Sequence, residues 1–246
     1  MQAYLDVQSR FDRYSARNAI LILKKRPDAQ KLGDWGYWRD QGVEVLRSER
    51  RNPVIILEPG KEYTREDGTT GQYYNAKEVF DISQTTARGK AQPQVSLDER
   101  LLLKALIAKP PVPILAVDQL PDAGRGAMFD AEKDAILVRK GMDAPDIFRS
   151  VSMELAHVEL EAASPAYSRE EQGYKAYCVS YLLCKKYGID TASYDLSRLN
   201  DVFVGREPKE IGAELSDIKE AASGINARMA KVLEQSRAPR HQEQER

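Results

Sequence analysis

Met153-Glu154-Leu155-Ala156-His157 has the spacing of a His-Glu-x-x-His helix in which the first histidine is replaced by methionine. In the intact pattern two imidazoles four residues apart share a helical face and bind Zn²⁺, while the glutamate between them acts on the metal-bound water. Here a thioether stands where the first imidazole would donate, so Glu154 remains as the candidate general base and His157 as the one candidate metal ligand. Glu-x-x-His alone is a common pattern, and a single histidine is more often a packed or capping residue than a ligand. The chain holds only two histidines, and His241 lies in a polar tail. A replacement site would have to draw carboxylates such as Glu161 or Glu171 to His157. No tight zinc centre and no other cofactor is expected; Zn belongs only to an alternative in which some peptidase activity persists.

The residues before the motif set its context. Gly126-Ala127-Met128-Phe129, the polar run Asp130–Asp134 and Ala135-Ile136-Leu137-Val138 read as strand, turn, strand. Asp143, Pro145 and Asp146 then open a helix, with proline and acids in its first turn. A hairpin leading into a motif helix is the order of a small zincin domain. A second helix is expected near 170–187, ended by Gly188.

Composition bounds the function. At 246 residues, 42% hydrophobic and 30% charged, the chain can bury a substantial core in one or two domains. No apolar run approaches the roughly 18 residues needed to cross a bilayer, and the first residues lack the zones of a signal peptide. A cytoplasmic protein without membrane contact is expected. Cys178 and Cys184 lie six apart in one apolar helical stretch, on different faces, and read as free core thiols. The overall charge of −1 is unevenly spread: residues 1–90 carry 16 Lys/Arg against 13 Asp/Glu, and the rest carry 21 against 25. The basic half is the one to suspect of touching phosphates.

In that half, Tyr4, Val7, Phe11, Tyr14, Asn18 and Leu21 recur at helical steps and predict one helix over 3–26, ended by Pro27. Arg10, Arg13, Arg17 and Lys24 follow the same spacing on a neighbouring face. Asn18 falls on the apolar stripe, where a buried amide must find partners; it is either an anchor for nearby backbone or part of a site. Trp35, Tyr37 and Trp38 stand close to Arg39 and to the basic turn Arg47-Ser48-Glu49-Arg50-Arg51. Aromatic faces that stack on bases beside arginines that follow the backbone are the means of binding a single strand, although each tryptophan could equally be core. Val54–Leu57, Gln72–Asn75 and Glu78–Ile82 read as strands, turned by Glu66-Asp67-Gly68, to give a compact α+β unit.

Thr85–Ala91, followed by Pro93, marks a boundary between a first domain over 1–88 and a second over 94–205. The second opens on a helix from Leu97 to Ala108 with Ser96 as its cap. Over 207–235, Ile211, Leu215, Ile218, Ala222, Ile225, Met229 and Val232 alternate steps of four and three, a heptad-like seam within a long helix over 206–236. That helix either folds back on its own domain, the reading favoured by Gly224 and Ala222, or meets a protein partner. Residues 237–246 read as a disordered tail.

Four short words resemble the N-terminal domain of the ArdC antirestriction family: Tyr14-Ser15-Ala16-Arg17-Asn18-Ala19-Ile20-Leu21-Ile22, Trp38 followed by Gly42, Ile56-Leu57-Glu58-Pro59, and Val79-Phe80-Asp81-Ile82-Ser83-Gln84-Thr85. The resemblance spans roughly residues 4–86. It implies an α+β fold of two domains, single-stranded DNA bound by the first, a zincin-like second domain, and carriage on conjugative or integrative elements. In the second domain Lys175-Ala176-Tyr177-Cys178-Val179-Ser180-Tyr181 stands where the family has Glu-Ala-Glu-x-Val-Ala-Tyr, whose first glutamate is the third metal ligand. A Lys-Gly-Glu-Lys-Gly pattern appears as Arg47–Arg51, which keeps the charge and loses the glycines.

The expectation that follows is a single-stranded DNA-binding protein with a degenerate, inactive peptidase-like domain. Arg13, Arg17, Lys24, Arg47, Arg50 and Arg51 would meet phosphates, and Tyr14, Asn18 and Trp38 would stack or support the surface. Two alternatives remain open. One is a zinc peptidase with a non-standard ligand set. The other is a protein-interaction module using the second domain and its last helix, in which Lys175 could pair with Glu154 where a metal once stood.

Overall fold

The computed structural model describes residues 1–89 and 98–237, and these form two compact units divided between 89 and 98. The fold is mixed α+β with two small three-stranded sheets, one per unit.

In the first unit the apolar stripe of residues 3–26 is carried by two helices, α1 (Gln2–Arg10) and α2 (Ala16–Lys25), where one was expected. Ser15 causes the break, since its hydroxyl caps α2 by accepting from the Asn18 N–H. Buried Gln8 stabilises the corner, donating from its amide to the carbonyls of Phe11 and Tyr14. The sheet is ordered β1 (Leu32–Gly33), β3 (Thr70–Asp81), β2 (Val54–Thr64), all antiparallel. α3 (Trp35–Asp40) lies between β1 and β2 in sequence and is capped by Asp34.

The motif Val79–Thr85 acts as scaffold. Asp81 is buried and its carboxylate accepts from the N–H groups of Gln30, Lys31 and Ser83. Gln84, also buried, closes a capping box with Asp81 and donates to both the Asn52 carbonyl and the Glu49 carboxylate. Trp38 packs with Val45 and Phe80, and its Nε1–H donates to the Phe80 carbonyl at 3.0 Å.

The second unit opens on α4 (Glu99–Leu106), capped by Asp98; the expected cap Ser96 lies outside the described residues, as does the tail from 238 onward. Its sheet is ordered β4 (Ile114–Val117), β6 (Ala135–Arg139), β5 (Ala127–Asp130), with β4 and β6 parallel and the β5–β6 hairpin antiparallel. α5 (Ala144–Ala163) is the motif helix, opened by Asp143 and Pro145, and it packs on β5, β6 and α6 (Arg169–Tyr187). Ser168 caps α6, and Gly188 ends it at φ +73°, a left-handed position that glycine enters without penalty. Cys178 and Cys184 are buried free thiols on α6.

The last helix, α7 (Pro208–Arg237), packs against α4, α5 and α6 of its own unit. Its buried residues are Leu215, Ile218, Ala221, Ile225, Met229 and Leu233. The seam expected at Ala222 and Val232 has therefore moved to Ala221 and Leu233, and steps of four dominate after Ile218. A straight helix of 3.6 residues per turn drifts off a strict heptad in this way. No helix among the described residues is long and apolar enough to cross a membrane.

Candidate functional site

The first unit carries the basic and aromatic set on positions whose exposure separates their roles. Arg13, Arg17, Lys24, Arg47, Arg50 and Arg51 are all exposed. Arg17 lies over the ring of exposed Tyr74 on β3 at 5.2 Å, and Arg50 over exposed Trp35 at 5.9 Å. Each guanidinium thus rests on an aromatic face. Arg50, Trp35 and Arg39 also line a cleft of about 460 Å³ with Val43 and Val45.

Tyr14 is half-buried, and burial pushes its hydroxyl pKa up, so it stays a neutral donor. Two of the expected residues serve the fold. Trp38 is 2% exposed, with its ring edge against Tyr37 and its N–H spent on Phe80, so it supports the surface and has no face for a base. Asn18 is buried and uses both ends of its amide on one residue of β2: Nδ2 donates to the Leu57 carbonyl at 2.9 Å, and the Leu57 N–H donates to Oδ1 at 2.8 Å. Of the two readings of Asn18, this is the anchor.

The β2–β3 hairpin adds aromatics that the sequence reading passed over. Tyr73 and Tyr74 are 60% and 49% exposed. Tyr63 packs at 4.5 Å against Tyr73 and covers Gly71, where a Cβ would come within 2.4 Å of its ring. Adjacent within Gly71-Gln72-Tyr73-Tyr74-Asn75, Tyr73 and Tyr74 read as part of an ordinary strand, and exposure alone distinguishes them. Arg65, over the Tyr63 ring at 5.8 Å, repeats the pairing of arginine and aromatic.

In the second unit, positions 154, 157 and 161 of α5 fall on one face. Glu154 is 1% exposed and is held by its Oε2, which accepts from the Phe129 N–H of edge strand β5 at 3.1 Å and from Arg169 Nη1 at 3.0 Å. Its Oε1 is buried without a hydrogen-bond partner, with Arg125 Nη1 4.0 Å away. Burial raises the Glu154 pKa, opposed by Arg169, by the Phe129 N–H and by Arg125. Arg169 also forks onto Glu161, from Nε at 2.5 Å and Nη2 at 2.9 Å, and this holds the Glu161 carboxyl below its usual range. The guanidinium lies over the Phe129 ring at 4.7 Å. One side chain in the first turn of α6 therefore joins α5, β5 and α6.

His157 is buried, with Nδ1 2.9 Å from the Tyr167 hydroxyl. Burial, then the Arg169 charge, lowers its pKa to about 4, so the ring is neutral near pH 7. Burial also pushes the Tyr167 hydroxyl up to about 12. Lys175 does not reach Glu154. Its buried ammonium bonds Asp217 on α7 at 2.8 Å, so the pairing considered between Lys175 and Glu154 is replaced by one between Arg169 and Glu154. Glu171 is exposed at the start of α6, its N–H donating to Ser168.

No protein-family model matches the chain, and no curated protein does. Among solved structures, it is similar to the antirestriction ArdC protein from plasmid R388 in its Mn(II)-bound form, with 14% identity and a TM-score of 0.50, over 87% of this chain and 83% of that one. The metal-free form of the same protein matches with 17% identity and a TM-score of 0.48, over 88% and 84%. The likeness to the Mn(II)-bound form extends over both units and is one of fold. The donor set of this chain does not fit a metal centre of that kind: Met153 is a thioether, Glu154 and Glu161 are both taken by Arg169, and no group of three His, Cys, Asp or Glu among the described residues is arranged to hold an ion.

Proposed function

We propose that the chain is an antirestriction-like protein of a mobile element that binds single-stranded DNA through its first unit, with a second unit that serves as scaffold and lacks peptidase activity. The observation that carries this reading is the exposed pairing of arginines with aromatic faces, Arg17 on Tyr74 and Arg50 on Trp35. Guanidinium groups held over rings present donors to phosphates while the neighbouring aromatics offer faces to bases, and this combination suits a flexible single strand. The ArdC-like fold supports the same assignment.

The test is the affinity of the full chain for a fluorescent oligothymidine, titrated over salt. Neutralised phosphates release counterions, so log K should fall with log salt at about 0.7 per phosphate contacted. Binding that ignores salt, or no binding at low salt, removes the proposal.

The zinc-peptidase alternative would have to free Glu154 and Glu161 from Arg169 and recruit a ligand where Met153 stands. The alternative of a partner docked on 207–235 meets an α7 whose apolar seam is already covered by α4, α5 and α6.

A further inference from the structure

The misfit between this chain and a metal centre is itself ordered. Glu154 and Glu161 lie seven residues apart on α5 and face one cation, Arg169, which contacts both through three hydrogen bonds. A second guanidinium, Arg125, stands 4.0 Å from the remaining oxygen of Glu154. Two carboxylates thus meet the fork of Arg169, and Arg125, half-exposed and paired with Asp122 at 3.3 Å, adds a second positive charge beside Glu154. A planar fork also satisfies two carboxylates at once, whereas an ammonium acts as a point charge. Arg169 belongs to the first turn of α6, Glu154 to the middle of α5, and the accepted Phe129 N–H to edge strand β5. These are three elements that a central metal ion could hold together.

We infer that Arg169, supported by Arg125, takes the structural place of a divalent cation, so that the second unit folds and stays folded independently of metal. This rests on reading that unit as a scaffold without metal chemistry, but it stands apart from DNA binding, which belongs to the first unit.

The experiment is thermal unfolding of the full chain, wild type and Arg169→Ala, each in EDTA and in millimolar MnCl₂. Both tryptophans lie in the first unit, so their emission reports its transition, and far-ultraviolet circular dichroism adds that of the helical second unit. The wild-type midpoint should be the same in EDTA and MnCl₂. Arg169→Ala should lower the second transition by roughly 5–10 °C, the scale expected when the buried Glu154 carboxylate loses its cation in a domain of this size. Arg169→Lys should fall between the two.

Two results overturn the inference. They are a wild-type midpoint that moves with Mn²⁺ or EDTA, and an Arg169→Ala protein that melts like the wild type. If the variant fails to fold, the wild-type comparison still decides. Oligonucleotide affinity measured in the same EDTA and MnCl₂ buffers separates failure of this inference from failure of the DNA-binding proposal.

Discussion

Arg17 and Asn18 are adjacent, and the structure gives them opposite tasks that one pair of variants can separate. Asn18→Ala removes two hydrogen bonds, at 2.9 and 2.8 Å, between α2 and the Leu57 backbone. A net hydrogen bond contributes about 1 kcal/mol, and leaving a buried partner unsatisfied costs about 1–3 kcal/mol more. Leu57 is half-buried, so water can recover part of that loss, and a total near 2 kcal/mol is expected. In a domain of this size about 2 kcal/mol corresponds to a midpoint shift on the order of 10 °C. Urea or thermal unfolding followed by tryptophan emission isolates the first unit. The folded Asn18→Ala protein should keep its oligonucleotide affinity within about twofold, under 0.5 kcal/mol. Arg17→Ala should do the reverse, with an unchanged midpoint, weaker binding, and a salt slope smaller by about 0.7. If Asn18→Ala leaves the midpoint in place while abolishing binding, the amide belongs to the interface and the anchoring argument is wrong.

Other variants probe the remaining contacts. Trp38→Phe keeps most of the buried ring and loses the bond to the Phe80 carbonyl; it should cost about 1–3 kcal/mol by urea unfolding without changing the salt slope. Tyr74→Ala removes an exposed ring under Arg17 and should weaken single-strand binding by about 1–3 kcal/mol, the scale of one stacked base; an unaltered affinity would show that the strand runs elsewhere. Acid should act on the second unit through His157. Its folded pKa of about 4 lies below the unfolded value near 6.5, so the unfolded state binds more protons between these limits and stability is lost as pH falls from 6.5 toward 4. Glu154, whose pKa is raised by burial, opposes this trend. His157→Gln should therefore flatten the dependence of the second transition on pH, and an unchanged profile would clear His157 of that role.

Much of the fold could be read from local pattern. The hairpin, the motif helix with Asp143 and Pro145 at its start, and the stop at Gly188 are all set by residues within a few positions of each other. The break between α1 and α2 was hidden because the apolar stripe runs across it, and the residues that make it, Ser15 and Gln8, look like ordinary polar positions. Trp35 and Trp38 are alike in composition; a three-residue step around α3 leaves one 42% exposed and the other buried. The site depended on contacts at longer range. Arg169 lies 15 residues from Glu154 and on another helix, and Lys175 finds Asp217 across 42 residues. Neither pairing has a periodic signal, which is why Lys175, the charge nearest in motif register, drew attention that belongs to Arg169.

The basic turn at 47–51 differs from a flexible arm in its entropy. Glu49, in its centre, is held by Gln84, Asn52 and Arg26, and Arg50 rests over Trp35. The loop is thus ordered before any ligand arrives, and Arg50 keeps its charge over the Trp35 ring. Association through such a turn carries little of the ordering cost of a segment that folds on contact. Its heat-capacity change should accordingly be small, set by the aromatic area that the bases cover, and its encounter rate should follow the fixed positive field more closely than any motion of the chain.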